Sequence, residues 1–93
     1  MAFLQWPSRD PNESPLDYDI DWSLRLAGDT IATSTWTIVA GSVTIESTSF
    51  SSTETKVWLN GGTLGVLNTL NNKITTAGGR VMEQSVNLAM VTK

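Results

Sequence analysis

Asp17, Asp19 and Asp21 alternate along one stretch of this 93-residue chain, and they come nearest to a site for a hard cation, because calcium prefers carboxylate oxygens. Their spacing argues against it. Side chains two apart on a strand project in parallel, roughly 7 Å from one another, whereas a calcium loop wraps its oxygens around one point. The row is expected to be a solvated strand face, and no metal is assigned to it. The chain has no His and no Cys, which removes imidazole bases, thiolate nucleophiles, disulfides and the ordinary zinc and iron sites together. Its 10 serines and 13 threonines leave only Lys56, Lys73 and Lys93 as amine bases for a hydroxyl nucleophile, and no spacing sets a serine beside one of them. Gly61-Gly62-Thr63-Leu64-Gly65 and Gly78-Gly79-Arg80 are rich in glycine but lack the Gly-Lys-Ser/Thr sequence and the helix start that a phosphate loop needs. They read as hairpin turns. The expectation is a protein with no catalytic residues and no cofactor.

Aromatic groups carry the remaining binding chemistry. There are 4 tryptophans, and their flat faces can stack on sugars or anchor protein contacts. Trp22 and Trp36 are in phase with aliphatic neighbours, which assigns them to the core and removes them from any sugar platform. Trp58 is out of phase with Val57 and Leu59, and Trp6 lies with Phe3 and Leu4 in a segment containing Pro7, Pro11 and Pro15. Each proline forbids helix and biases its predecessor toward extended geometry, so residues 1–16 read as an N-terminal arm, docking on the body of its own chain or on a neighbour, with a disordered tail as the third reading. Phe3, Leu4, Trp6 and Trp58 are the expected protein-interface residues.

Behind those residues stand the elements that must hold them. Tyr18, Ile20 and Trp22 alternate with the aspartates, and the alternation continues through Leu24 and Leu26, so one strand is predicted from Asp17 to Leu26. Ala27-Gly28-Asp29 supplies a turn. The next strand spans Thr30 to Val39, and a one-residue bulge near Ser34 would bring Ile31, Trp36 and Ile38 onto one face. Ser42 to Ser47 is a short strand, Thr48 to Glu54 a loop or weak edge strand around Phe50, and Thr55 to Asn60 a strand ended by Asn60-Gly61-Gly62-Thr63. Between Leu64 and Thr76 the positions of Leu67, Leu70 and Ile74 fit a helix, but the surrounding Asn and Thr are poor helix formers and no cap begins it, so a strand is preferred. After Ala77-Gly78-Gly79, Val81 to Val91 alternates with Met82, Val86, Leu88 and Met90 inward and Gln84 interrupting. Six or seven strands with turns between them and no helical crossover predict an all-β fold, an antiparallel immunoglobulin-like β-sandwich over residues 17–93 with an extended N-terminal arm.

Length and charge narrow the class further. Ninety-three residues suffice for one core, and 40% hydrophobic with 16% charged residues is the composition of a folded domain. A net charge of -3 disfavours nucleic acid as a partner. Residues 1–29 hold six of the nine acids against Arg9 and Arg25, while the rest of the chain sums to +1, a distribution that suits head-to-tail association into a homo-oligomer and equally suits a solvated face. No basic residue precedes the apolar start of Met1 to Pro7, and no apolar run approaches a membrane span. Neither secretion nor membrane contact is expected, and the protein is placed in a cytosol unless it leaves as part of a particle.

Three segments carry a resemblance. Asp19 to Trp36 (Asp-Ile-Asp-Trp-Ser-Leu-Arg-Leu-Ala-Gly-Asp-Thr-Ile-Ala-Thr-Ser-Thr-Trp), Val57-Trp58-Leu59-Asn60-Gly61-Gly62-Thr63 and Ile74-Thr75-Thr76-Ala77-Gly78-Gly79-Arg80, in that order and spacing, resemble the small immunoglobulin-like virion proteins of tailed bacteriophages, some described as fibre-tail adaptors. Leu64 to Asn72 departs from the pattern, with Leu67-Asn68-Thr69-Leu70 where an aromatic and regular alternation would stand. The resemblance implies a non-catalytic virion component whose turns and arm contact tail, neck, fibre or capsid proteins, assembled in the host cytoplasm. It leaves open a joint between tail or neck and fibres, and a decoration protein of the capsid; a carbohydrate-binding module is the reading from another class.

Overall fold

The computed structural model describes residues 4–5 and 16–90. Two β-sheets pack face to face. One holds β2 (Leu16–Asp21), β5 (Glu54–Gly61) and β4 (Val43–Phe50) in the order β2-β5-β4, all antiparallel. The other holds β3 (Ile31–Ala40), β6 (Leu67–Thr76) and β7 (Val81–Ala89) antiparallel, with the two-residue β1 (Leu4–Gln5) parallel to the outer side of β7. Beginning at β2, this is the strand order of immunoglobulin domains, B-E-D on one sheet and C-F-G on the other. β1 pairs Leu4 with Val86 and Gln5 with Asn87, so these two residues of the arm join the sheet of their own chain.

Alternation builds the core. β5 turns Thr55, Val57 and Leu59 inward, β6 turns Asn68, Leu70, Asn72, Ile74 and Thr76 inward, and β7 adds Val86 and Leu88, with Met90 beyond its end. Trp22, Leu26, Ile31 and Trp36 close the space between the sheets. β6 is thus a strand, as preferred, but its apolar positions do not all face one way: Leu67 points outward and more than half of it is exposed, while two asparagines are 0% exposed. Two polar residues occupy core positions, which is why the pattern of Leu67-Asn68-Thr69-Leu70 departs from simple alternation of apolar and polar.

Burying an amide costs a few kcal/mol unless its hydrogen bonds are replaced, and at Asn72 every one is. Its Oδ1 accepts from Thr55 Oγ1 at 2.6 Å and from Trp22 Nε1 at 3.1 Å, both belonging to the opposite half of the sandwich. Its Nδ2 donates to Ser34 Oγ at 3.0 Å and to the Thr35 carbonyl at 3.2 Å. Immunoglobulin domains of antibodies tie strands B and F with a disulfide. Here, in a chain with no cysteine, a hydrogen-bonded amide on the F-equivalent strand links the two sheets instead.

Three expectations are corrected. The strand beginning at Asp17 ends at Asp21, and Ser23–Leu26 is the short helix α1, because the Asp21 carboxylate accepts the Ser23 amide at 2.9 Å and the Leu26 amide closes on the Trp22 carbonyl at 2.9 Å. Leu24, expected among the inward residues of that strand, is therefore 95% exposed, while Leu26 is buried. The bulge of β3 falls at Ala32, two residues before Ser34, and brings Ile31, Trp36 and Ile38 inward as required; a second register shift occurs at Val39. Val43 to Phe50 is one continuous edge strand, the return to β5 being made by Ser51–Thr53, where the Ser51 amide donates to the Glu54 carbonyl.

Candidate protein-protein interface

The outer face of the three-stranded sheet is a grid fixed by strand register. Asp17, Asp19 and Asp21 of β2 lie opposite Trp58, Lys56 and Glu54 of β5, and Ser47 and Ser49 of β4 lie opposite Trp58 and Lys56 on the other side. Trp58, one residue out of phase with the buried Val57 and Leu59, points outward and is half-buried by its neighbours. Lys56 Nζ stands 5.5 Å from the centre of its ring and 3.4 Å from Asp17 Oδ2. Beside them a shallow depression of about 240 Å³ is lined by Ser49, Phe50, Ser51, Glu54, Lys56 and Trp58. Phe50 is nearly half exposed at its edge. The three aspartates are exposed, as expected of a solvated face, and among the described residues no group of acidic side chains is arranged to hold a metal ion.

The other expected contact residues fall at the N-terminus. Phe3 and Trp6 lie outside the described residues, and of Leu4 the backbone is described, in β1. Trp22 and Trp36 are in the core. That leaves Trp58 as the outward tryptophan among the described residues.

Sequence reasoning missed a second set, at the end of the sandwich where the β2–β3 and β6–β7 connections meet. The Asp29 carboxylate accepts the amides of Thr30 and Gly78 at 2.8 and 3.2 Å and pairs with Arg80 at 3.4 Å. Arg80 also donates to the Leu26 carbonyl. The Thr76 hydroxyl, the Thr30 amide and then Gly78 and Arg80 hold the Asp29 carboxyl below its ordinary pKa. Arg25 stacks over Trp22, 4.9 Å from the ring centre, and donates to the Glu83 carbonyl at 2.9 Å and to Gln84 Oε1 at 3.3 Å. Arg80 bonds the Leu26 carbonyl of α1 and Arg25 ties α1 to β7, while Leu24 is presented to solvent. The charge types were visible in the sequence, but partners 51 to 59 residues apart were not.

Two antiparallel sheets in this strand order, with a depression and a loop cluster at their surface, define the class of small immunoglobulin-like β-sandwich domains. Within that class the chain belongs to the family of the podophage GP4 fiber-tail adaptor protein gp77, whose family model matches residues 9–89. It is thus a structural component of a bacteriophage particle, of fibre-tail adaptor type. No curated protein matches the chain. Among the described residues no helix is long and apolar enough to cross a membrane.

Proposed function

We propose that this chain joins the tail or neck of the particle to its fibres through non-covalent contacts with other virion proteins, as a homo-oligomer, and performs no catalysis. Residues 17–93 form the body of the domain and residues 1–16 the arm, which adds Leu4–Gln5 to the sheet and reaches neighbours with its other residues, so that Phe3, Leu4, Trp6 and Trp58 stand at the contacts. The observation that carries the reading is the position of Trp58: a large aromatic on the outer face of a sheet, at the side of a depression, in a chain whose family is one of fibre-tail adaptors. Tryptophan at such a place is the residue type over-represented among the few side chains that dominate interface energies.

Particles assembled with Trp58→Ala, or with Phe3, Leu4 and Trp6 all changed to Ala, are expected to lose fibres while the isolated variants keep their far-UV circular dichroism and melting cooperativity. Full heads that leak or burst, with fibres attached, would instead identify a capsid decoration protein. Copy number separates the same two, since decoration needs hundreds of copies and a joint roughly a dozen.

A further inference from the structure

The outer face of the three-stranded sheet is acidic. Asp17, Asp19, Asp21 and Glu54 against Lys56 leave three negative charges there, and the formal net charge of the whole chain is -3. On the opposite sheet, β6 and β7 set Lys73 directly across from Glu83, with Thr35 of β3 on the other side of Lys73. The acidic face is also where the aromatic depression lies, and there the Trp58 ring already holds a cation, Lys56, whose ammonium is drawn to Asp17.

We infer that this depression docks an arginine- or lysine-bearing segment of a partner protein, an inference that rests on reading Trp58 as an interface residue. The incoming cation replaces Lys56 over the ring, and the segment's further positive charge meets Glu54 and the carboxylates of β2. A guanidinium suits the place best, because it stacks flat on the indole and forks onto a carboxylate at once. Charge complementarity selects the occupant: a face of this sign repels phosphate and so disfavours nucleic acid in this depression. A second copy fits poorly, since among the described residues Arg25 is bonded to Glu83 and Gln84, Arg80 is bonded to Asp29 and Leu26, and Lys73 is opposite Glu83.

The test titrates the full-length protein at low salt with a short Gly/Ser peptide carrying several arginines, beside the same peptide carrying glutamates, followed by amide chemical shifts and calorimetry. The arginine peptide is expected to bind and to shift residues of β5 and β2, and the glutamate peptide to do neither. Trp58→Leu keeps every carboxylate yet should weaken binding about 5- to 10-fold, the factor an exposed to partly desolvated cation–aromatic contact supplies. K56Q should tighten binding several-fold, whereas K73Q, with the same change in net charge, should leave it within about 2-fold. Equal effects of K56Q and K73Q, or no effect of Trp58→Leu, would reduce the binding to unspecific attraction and overturn the proposal. So would self-association abolished by Trp58→Leu, which would make the occupant a second copy. Virions carrying Trp58→Leu answer separately: fibre loss together with an unchanged arginine titration would keep Trp58 at an interface and remove the cationic partner.

Discussion

At the end of the sandwich that carries the β3–β4 turn, the chain is fixed by an amide with no exposed surface; at the opposite end it is fixed by an arginine whose side chain is 48% exposed. Asn68 Oδ1 accepts the amides of Ser42 and Val43 at 2.8 and 3.3 Å, and its Nδ2 donates to the Leu88 carbonyl at 3.2 Å, so one side chain ties the turn to β6 and β7. Gly41, at φ +112°, lies so close over Asn68 that a Cβ there would meet both its side chain and its Cα. At the other end Asp29 and Arg80 hold the connections through contacts that water can replace. The difference separates two tasks. A buried amide bonded on both its oxygen and its nitrogen admits one arrangement of the turn, because any other leaves polar groups unpaired away from water. An exposed ion pair adds little stability and sets position more than energy.

The largest effect is expected midway between the two ends and sets the scale for both. Trp36→Ala empties a core site and should cost roughly 3–5 kcal/mol in denaturant unfolding; a loss under about 1 kcal/mol would mean that Trp36 does not fill the space between the sheets. Next comes the buried end, where Asn68→Ala strands two backbone amides and a carbonyl and should cost about 2–4 kcal/mol. A value near zero would show water taking over the bonds of Asn68, and the contrast between the ends would vanish. A pair of glycines sharpens the comparison. Gly28 has φ +91°, and a methyl group added there would meet nothing within 4 Å, so its mutation to Ala should incur only the left-handed backbone penalty, about 1–2 kcal/mol. Gly41→Ala incurs that penalty and the collision with Asn68 besides, so it should be the more damaging by at least about 1 kcal/mol. Equal losses would mean the β3–β4 turn shifts freely, contrary to a turn fixed by one amide.

The smallest effect is a pH dependence confined to the exposed end. Hydrogen bonds from Thr76 first, then Thr30, Gly78 and Arg80 lower the Asp29 pKa, and the Ser23 amide and hydroxyl do the same for Asp21. A carboxyl depressed in the folded state contributes stability that is fully present above its unfolded value, near 3.9, and is lost as pH falls through the lower folded value. Neutral and mildly acidic solutions should therefore leave this end intact. Below about pH 4 the amide resonances of Thr30 and Gly78 should move with the Asp29 carboxyl while those of Ser42 and Val43 stay fixed, and Asp29→Asn should abolish the movement. Titration of Asp29 at or above the ordinary carboxylate value would contradict the clamp.

Much of the framework was legible because period-two alternation is a local property. Val57 and Leu59 inward with Trp58 outward, the inward run from Met82 to Met90, and the burial of Trp22 and Trp36 all follow from phase against near neighbours. Where phase failed, a polar side chain had found a distant partner or a backbone amide nearby. Asp21 stopped its strand by capturing the Ser23 amide, so Leu24 left the core. Asn68 and Asn72 took inward positions that hydrophobicity assigns to Leu67, because partners on other strands satisfied their amides. The only sequence trace of this was the break in alternation itself.

By itself the sequence determined the all-β class, the turns marked by glycine, the exclusion of histidine and cysteine chemistry, and the outward placing of Trp58 and the aspartate row. These depend on residue type and on spacing along one strand. Tertiary structure alone decided that Asp17, Asp19, Asp21 and Glu54 share a face with Lys56 and Trp58, that Asp29 meets Arg80, and that Asn72 joins the two sheets through Thr55 and Trp22. The reason is that register between strands is set by how whole faces pack and by which buried polar groups find partners, and neither quantity can be read from any single segment.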